Sequence, residues 1–291
     1  CIRDRTLVAE DVVASAEAFV NVAARDAAST GIQPGTYAMQ QQIPAADALA
    51  ILVDPANRIS DAVLVREGLR VEQVVEAFST QAGMDPDALT AALADPAALG
   101  LPEAAEGDPE GFLFPATYDV EPTTAEQDAM AAMVAKYSEV AAGIDLEQRA
   151  GEMGLTEREV VTVASIIQAE ARLPEDFAKV SRVIYNRLAD GEPLGMDSTV
   201  AFANDVYTVF TTDEQRAIDS PYNTYVNQGL PPGPINSPGQ DALLAALEPA
   251  EGDWRYFVTA NLETGETKYA ETLEEHNRNV AEAQANGYGS S

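Results

Sequence analysis

The amino-acid sequence predicts an α+β protein: a small α/β region of short elements at the N-terminus, followed by a mostly helical domain with a small β element. Two patterns support this fold class. The first third alternates short apolar runs with turn residues, whereas the rest contains longer runs at helical spacing, several of them opened by a capping signal. A chain of 291 residues is long enough for two ordinary domains. We predict them at 6–108 and 109–287, followed by a loose tail at 288–291.

The charge and composition of the chain exclude several classes of protein. A hydrophobic content of 46% indicates a globular chain, and a net charge of −31 argues against binding to nucleic acid or to an anionic membrane surface. With one histidine, His276, and one cysteine, Cys1, the chain lacks the ligands for a zinc site and cannot form an internal disulfide. The phosphate-binding motifs GxxxxGK[ST] and GxGxxG are missing. We therefore expect neither a His/Cys zinc site nor a cofactor held by these phosphate-binding motifs, and chemistry based on carboxylates, hydroxyls and amides.

The N-terminal third is predicted to alternate helices and strands. Ser15 is a candidate N-cap, Pro44 and Asp85 stand where helices open, and Gly68 marks a turn between a strand and a helix. Residues 99–108 are rich in proline, glycine and acid and are predicted to form a linker. In order, the elements are a helix at 11–25, a strand at 37–41, a helix opened by Pro44, a strand at 62–66, a helix at 71–81 and a short helix at 85–96.

The C-terminal two thirds are predicted to be mainly helical. Residues 123–143 form a long helix, and four later segments fit the capping box, in which a Ser or Thr and a Glu or Gln three residues on bond each other's backbone N–H. The segments 254–261 and 267–272 flank a turn at Gly265 and predict a β-hairpin. The capping pairs are Thr156–Glu159, Thr212–Gln215, Ser237–Gln240 and Thr272–Glu275, which predict helix starts near 157, 213, 238 and 273.

The helix that begins near residue 157 carries the strongest candidate for a catalytic group. Val160, Val163 and Ile167 follow the spacing of a buried stripe, and Glu170 borders that stripe near the predicted helix end. Partial desolvation there would raise the pKa of the carboxyl, which is what a general acid needs at neutral pH. Structural carboxylates also border apolar cores, so spacing alone leaves both interpretations open.

A second candidate region is the polar loop 220–239, SPYNTYVNQGLPPGPINSPG. It contains two tyrosines, three asparagines and five prolines. Aromatic side chains among amides and hydroxyls are typical of a carbohydrate site, because sugars present many hydroxyls and a weakly apolar face. An Ω-loop stabilised by its own prolines fits the composition equally well.

Several segments, taken in order, make the sequence resemble a known family. They are ASIIQAEARLPED (164–176), VIYNRL (183–188), the loop 220–239, ALEPAEGDWRYFV (246–258) and TLEEHNRNV (272–280). Together they resemble the endolytic murein transglycosylase, or YceG-like, family over nearly the whole chain. GFLFPATY (111–118) resembles the EG-Y-LFP-TY segment of that family, and the region 6–108 resembles its LysM-like part.

The resemblance implies a metal-free enzyme that cuts nascent peptidoglycan strands internally and leaves 1,6-anhydro-N-acetylmuramoyl ends. The catalytic glutamate of the family's ASIVEKE helix corresponds to Glu170, and the first acid of that motif is Gln168 here. Peptidoglycan glycan strands are the expected substrate, and peptidoglycan synthases are expected partners. The motif positions imply these substrate-binding residues: Tyr222, Asn223, Thr224, Tyr225, Asn186, Asp197, Thr199 and Asn236.

The resemblance also implies a single N-terminal helix that anchors the protein at the extracytoplasmic face of the bacterial cytoplasmic membrane. The chain contains no run of 18 or more apolar residues, so we expect this anchor to be absent from the fragment. The first residues, CIRDR, resemble the translated end of a sequencing adapter. Residues 1–5 are therefore expected to be non-native, with an ordinary frayed terminus as the alternative.

Two alternatives to a lytic enzyme remain open. The family's PLQSDPTV loop is PLGMDSTV at 193–200 here, a departure that puts substrate preference in question. Asp197 in this loop is a candidate second carboxylate, which would favour hydrolysis, or it orders the loop by binding backbone amides. A wall-binding module with an inactive Glu170 site is the other alternative. His276 is predicted to make a structural hydrogen bond.

Overall fold

The computed structural model describes residues 2–208, 211–261 and 264–285, and within them the protein is α+β, as predicted. The predicted tail at 288–291 lies outside these ranges. The helices are α1 (Ile2–Ala9), α2 (Ala16–Ala23), α3 (Ala45–Val53), α4 (Val71–Ala82), α5 (Pro86–Leu93), α6 (Pro96–Leu99), α7 (Glu126–Gly143), α8 (Leu146–Glu152), α9 (Glu157–Glu170), α10 (Pro174–Asp190), α11 (Asp197–Ala203), α12 (Gln240–Leu247) and α13 (Leu273–Ala285). The strands are β1 (Thr36–Tyr37), β2 (Arg58–Ile59), β3 (Asp61–Leu64), β4 (Thr117–Val120), β5 (Tyr256–Thr259) and β6 (Thr267–Ala270), and they pair as β1 with β2, β3 with β4 and β5 with β6.

The chain divides into two compact units, one made of residues 1–63 with 118–125 and the other of the remainder. This division differs from the predicted boundary after residue 108. The segment predicted to be a linker is packed inside the second unit, where Leu99 and Ala105 are buried. The Arg158 guanidinium also donates to the Ala105 carbonyl (2.8 Å). The composition of this segment is that of a linker, but its few apolar side chains are enough to attach it to the core.

The first unit has a small core to which α2 and α3 contribute, and Phe19 is completely buried in it. The helix predicted at 11–25 is shorter than expected. Asp11 has a φ of +57°, and α2 begins only after Ser15, whose side chain accepts a hydrogen bond from the Ala18 N–H (3.2 Å). Ser15 is therefore the N-cap, and the residues before it belong to a turn.

The strand predicted at 37–41 is reduced to the two residues of β1, which pair antiparallel with β2. Side chains supplement this short ladder. Arg58 donates to Glu121 (2.9 Å), and the hydroxyl of Thr36 donates to the same carboxylate (2.9 Å). The hydrogen bond from Arg58 holds the pKa of Glu121 below its usual range. Because two residues supply few backbone bonds, this charge-assisted contact is part of what stabilises the sheet.

The central element of the second unit is α9, which packs against α10 and α12. The eight residues from Val160 to Ile167 are all buried. The predicted capping box forms at its start: the Thr156 N–H donates to the Glu159 carboxylate (2.8 Å), and the Glu159 N–H donates to the Thr156 hydroxyl (3.2 Å). A helix that is capped at one end and surrounded by apolar neighbours holds its last residue, Glu170, in a fixed position.

The other capping predictions have mixed outcomes. The pair at Thr272 opens α13 where expected. The pair at Thr212 forms both of its hydrogen bonds but opens only the 3₁₀ turn Gln215–Ala217. The pair at Ser237 does not form, and α12 begins at Gln240. The backbone N–H and C=O of Ser237 instead bond residues 68–69, so this serine belongs to a long-range backbone pairing.

The predicted C-terminal hairpin is confirmed. Strands β5 and β6 pair antiparallel, and Gly265 has a φ of +78° in the turn between them. Helix α13 packs on this hairpin, and the His276 ring stacks on Tyr256 with centroids 5.1 Å apart. Within the described residues, Nδ1 of His276 has no hydrogen-bond partner. The structural hydrogen bond predicted for His276 is thus not made through Nδ1, and the contact seen for this ring is its stacking on Tyr256.

Gly111 lies where three segments of the second unit meet. Its φ is +85°, and a Cβ there would lie 2.4 Å from Cβ of Pro234 and 3.1 Å from Cγ1 of Val161. We expect Gly111→Ala to lower the free energy of unfolding by about 3 kcal/mol, because the left-handed backbone and the overlap with Pro234 both add cost. Urea denaturation followed by the fluorescence of Trp254, the single tryptophan, measures this loss.

Gly83 provides the matched control for this substitution. It also has a left-handed φ, +67°, but no atom lies within 4 Å of the position of an added Cβ. Gly83→Ala is therefore expected to cost only about 1 kcal/mol. Equal losses for the two variants would contradict the close packing of Gly111 against Pro234.

Candidate active site

Glu170 is the last residue of α9 and lies in the wall of a cavity of about 1010 Å³ in the second unit. The backbone leaves the helix at Ala171, which is extended, and Pro174 then opens α10. Ile166 and Ile167, one turn earlier on α9, are completely buried. The helix therefore presents a carboxyl at the point where its apolar interior ends and the cavity begins.

The environment of Glu170 favours its neutral form. Burial raises the pKa of this carboxyl above its usual range, and the charge of Asp197 raises it further. Ser198 acts in the opposite direction. Its backbone N–H (3.1 Å) and its hydroxyl (2.6 Å) both donate to Oε1 of Glu170, and both bonds lower the pKa. The net effect is upward, and it favours the protonated form that a general acid needs.

Asp197, the second carboxylate of the predicted site, lines the same cavity but is held by several donors. Its Oδ1 accepts hydrogen bonds from the Tyr225 hydroxyl (2.8 Å), from Nε of Arg216 (3.3 Å) and from the Thr211 hydroxyl. The guanidinium of Arg216 also lies over the Tyr225 ring, 5.2 Å from its centroid. Asp197 thus organises Tyr225 and Arg216 at the cavity wall.

Four of the predicted site residues line the cavity together: Glu170, Asp197, Tyr225 and Asn236. Asn236 is 4% exposed, and its Nδ2 donates to the Ser165 carbonyl on α9 (2.8 Å). The Ile235 N–H donates to the Ser165 hydroxyl (3.1 Å), so the end of the polar loop is attached to the helix that carries Glu170.

The other residues predicted to bind substrate do not line this cavity. Asn223 is completely buried; its Nδ2 donates to the carbonyls of Arg216 and Ile218. Asn186 donates to the carbonyls of Gly252 and Trp254. Their amides are therefore used to hold backbone segments in place.

Tyr222, Thr199 and Thr224 are likewise used inside the protein. The Tyr222 ring packs against Phe202 with centroids 4.8 Å apart. Thr199 and Thr224 are buried and share a hydrogen bond (2.8 Å). For this part of the loop 220–239, the structure favours the interpretation as a stabilised loop over that of a sugar-lined wall.

The sequence interpretation missed Ser198 and a group of arginines. Four of the chain's arginines line the cavity although the protein has a net charge of −31, and each is within 4 Å of a carboxylate. Nothing in the local sequence marks these arginines, because the four lie in separate segments of the chain. These arginines are Arg70, Arg187, Arg216 and Arg255.

Residues 2–208, 211–261 and 264–285 contain neither a candidate metal site nor a candidate membrane span. No group of three or more His, Cys, Asp or Glu side chains there is arranged to hold a metal ion. No helix within those ranges combines the length and the apolar character needed to cross a membrane.

Comparison with known proteins decides the family. The model of the YceG-like family matches residues 4–282. The chain belongs to the YceG-like family. An endolytic murein transglycosylase of Bacillus subtilis (strain 168) is 30% identical over 283 residues, which cover 92% of this chain and 77% of that protein. The resemblance inferred from the sequence motifs is thereby confirmed.

Two further relatives extend this comparison of the YceG-like chain. An endolytic murein transglycosylase of Streptococcus pneumoniae serotype 2 (strain D39) is 30% identical over 287 residues, covering 87% of this chain and 51% of that protein. The chain thus spans about half the length of that relative. The crystal structure of a yceG-like protein from Listeria monocytogenes matches with a TM-score of 0.67 at 26% identity, over 94% of both chains.

Proposed function

We propose that this YceG-like chain is a peptidoglycan lytic transglycosylase with Glu170 as general acid and base. It cleaves the β-1,4 bond between N-acetylmuramic acid and N-acetylglucosamine within a strand and leaves a 1,6-anhydro-N-acetylmuramoyl end. The observation that carries this proposal is the carboxyl of Glu170 in the wall of a cavity of about 1010 Å³, where desolvation raises its pKa. Curated relatives bear the name endolytic murein transglycosylase, which agrees with this activity.

One carboxyl is sufficient for the reaction. Neutral Glu170 donates its proton to the glycosidic oxygen as the bond to the muramoyl anomeric carbon breaks. The carboxylate that results accepts the proton of the muramoyl 6-hydroxyl, whose oxygen forms the new bond to the anomeric carbon. Because this hydroxyl belongs to the same sugar, its effective concentration is high and no water is needed. Glu170 ends the cycle protonated, ready for the next one.

The arrangement of Asp197 disfavours the hydrolytic alternative. Glycosidases that hydrolyse their substrate use a second carboxylate as nucleophile or as the base that activates water. Oδ1 of Asp197 accepts three hydrogen bonds, and its Oδ2 lies 3.5 Å from Nη2 of Arg216. With its oxygens occupied by these donors, the carboxylate is not free to attack the anomeric carbon or to hold an attacking water. We therefore assign Asp197 to ordering Tyr225 and Arg216.

The domain organisation, cellular location and partners that the family resemblance implies belong to the same proposal. Residues 6–108 correspond to the LysM-like region and 109–287 to the catalytic domain. The protein acts at the extracytoplasmic face of the bacterial cytoplasmic membrane, where nascent peptidoglycan lies. Peptidoglycan synthases stay the predicted partners, since they supply the nascent strands.

Mass spectrometry of uncrosslinked glycan strands after incubation with the protein tests the proposal. We expect new anhydromuramoyl ends, each lighter by one water than a reducing end, and none in strands incubated without protein. Reducing ends would instead establish hydrolysis and return Asp197 to consideration as a second catalytic carboxylate. Unchanged strands that remain bound to the protein would support a wall-binding module.

A further inference from the structure

Two hydrogen-bond donors from one residue converge on a single oxygen of Glu170. We propose that Ser198 is a positioning residue that holds Oε1 of Glu170, so that Oε2 is the atom that carries and transfers the proton. The backbone N–H of Ser198 lies 3.1 Å from Oε1 and its hydroxyl lies 2.6 Å from it. This inference rests on the proposed function, because it assigns a role relative to the acid and base of that reaction.

Ser198 can hold Glu170 because its own loop is fixed from the other side. The Met196 N–H donates to the hydroxyl of Thr224 (3.0 Å), and the Gly195 N–H donates to the Thr224 carbonyl (2.9 Å). Thr199 bonds both the Met196 carbonyl (2.8 Å) and the Thr224 hydroxyl (2.8 Å). The bonds made by Met196 and Thr199 are buried, so contacts other than the one with Glu170 hold the segment that carries Ser198. The buried threonines that the sequence assigned to substrate binding thus support the residue that orients the acid.

The direction of both bonds determines which oxygen reacts. An oxygen that accepts two donors is the poorer site for a proton, so neutral Glu170 is protonated on Oε2. After Oε2 has donated its proton, the two donors stabilise the carboxylate that forms. Ser198 therefore makes Glu170 a stronger acid than burial alone would allow. Proline at this position would have neither an N–H nor a hydroxyl, so Ser198→Pro removes both donors at once.

Other charged groups near Glu170 are unchanged by substitution at residue 198. Asp197 and Tyr225 interact electrostatically with Glu170. Glu192, His276 and the four arginines named above line the same cavity. All of these groups are present in every variant at residue 198. A difference between the variants in the pH dependence of activity or in the titration of Glu170 therefore measures the effect of the two Ser198 donors.

The test compares Ser198→Ala, which removes the hydroxyl, Ser198→Pro, which removes both donors, and Ser198→Thr, which keeps both. For each, kcat and KM on uncrosslinked glycan strands are measured against pH. Removal of donors that stabilise the carboxylate raises the pKa of Glu170, and activity is lost only where this acid is deprotonated. We therefore expect the alkaline limb of kcat to move up by about one pH unit in Ser198→Ala and further in Ser198→Pro. We also expect kcat to fall about tenfold with little change in KM, and Ser198→Thr to resemble the original protein.

A titration that does not depend on activity separates this inference from the proposed function. Carbon-13 NMR of glutamate-labelled protein follows the Glu170 carboxyl against pH, and its signal is assigned by its loss in Glu170→Gln. An upward shift of that titration in Ser198→Ala supports the contact. An unchanged titration and an unchanged alkaline limb in both Ser198→Ala and Ser198→Pro would overturn it. Cleavage by Glu170→Gln at the original rate would overturn the proposed function, and the NMR titration would still decide whether Ser198 holds Glu170.

Discussion

Replacing Glu170 with glutamine is expected to lower the rate at which anhydromuramoyl ends form by about a thousandfold. The amide has no proton to give to the glycosidic oxygen at neutral pH and cannot accept one from the 6-hydroxyl. Since one group performs both transfers in the proposed reaction, its loss affects both halves of the same step. The side chain keeps its size, and its carbonyl oxygen can still accept hydrogen bonds from Ser198, so the fold is expected to remain intact.

Glu192 supplies a matched control for this variant. It also lines the cavity, and its carboxylate lies 3.8 Å from Nε of Arg187. Glu192→Gln makes the same chemical change in the same cavity, but no proton transfer is assigned to it, so a rate within about threefold of the original is expected. The rates of both variants are measured from end formation by mass spectrometry, with thermal unfolding as the check on folding. Near-normal cleavage by a folded Glu170→Gln would exclude Glu170 as the acid.

The parts of the fold that could be predicted from sequence are those determined locally. The start of α9 can be predicted because Thr156 and Glu159 are three residues apart and form the capping box with each other. Ser237 carries the same local signal, but its backbone is bonded to residues 68–69, and α12 starts later. The Gly239 N–H just before α12 donates to Gln168 of α9 (3.0 Å). Competition from long-range partners of this kind has no signature within the segment itself.

Prediction of the site from the sequence has the same limit, because contacts between distant segments leave no local signal. Glu170 could be identified from its place beside an apolar stripe on one helix. Its partner Ser198 lies 28 residues away, and the contact depends on how the end of α9 meets the start of α11. The loop 220–239 has a composition that fits either sugar binding or internal bonding, and only burial separates the two: Tyr225 lines the cavity, whereas Asn223 is completely enclosed.

A second large effect is expected at Glu110, a buried carboxyl that the proposed reaction does not use. Its Oε2 accepts a hydrogen bond from the Val71 N–H (3.2 Å), and within the described residues its Oε1 has no partner. Burial raises the pKa of Glu110 to about 8, and the nearby charges of Asp108 and Glu72 add to the effect. The Val71 N–H acts in the opposite direction but is too weak to offset burial.

The raised pKa makes stability depend on pH in a defined direction. Between its ordinary value of 4.5 and about 8, Glu110 is protonated in the folded protein and ionised in the unfolded chain. The unfolded chain then binds fewer protons, so the free energy of unfolding falls as pH rises through this window. The total loss in the free energy of unfolding is on the order of 3–5 kcal/mol, and it is complete above the pKa that Glu110 has in the folded protein.

Glu110→Gln is expected to remove this dependence on pH. The amide oxygen can still accept from Val71, but the amide N–H groups lack a partner, so at pH 5 the variant is expected to be about 1–2 kcal/mol less stable than the original protein. At pH 9 the order reverses, because the original protein must then hold an unpaired buried charge and the variant does not. Urea denaturation at a series of pH values measures the difference, with Trp254, in the same unit as Glu110, as the fluorescent probe. The exposed Glu147 of α8 is the control: Glu147→Gln should differ from the original protein by a constant amount across the series. A constant difference for Glu110→Gln as well would mean that Glu110 keeps the same charge in the folded and unfolded states.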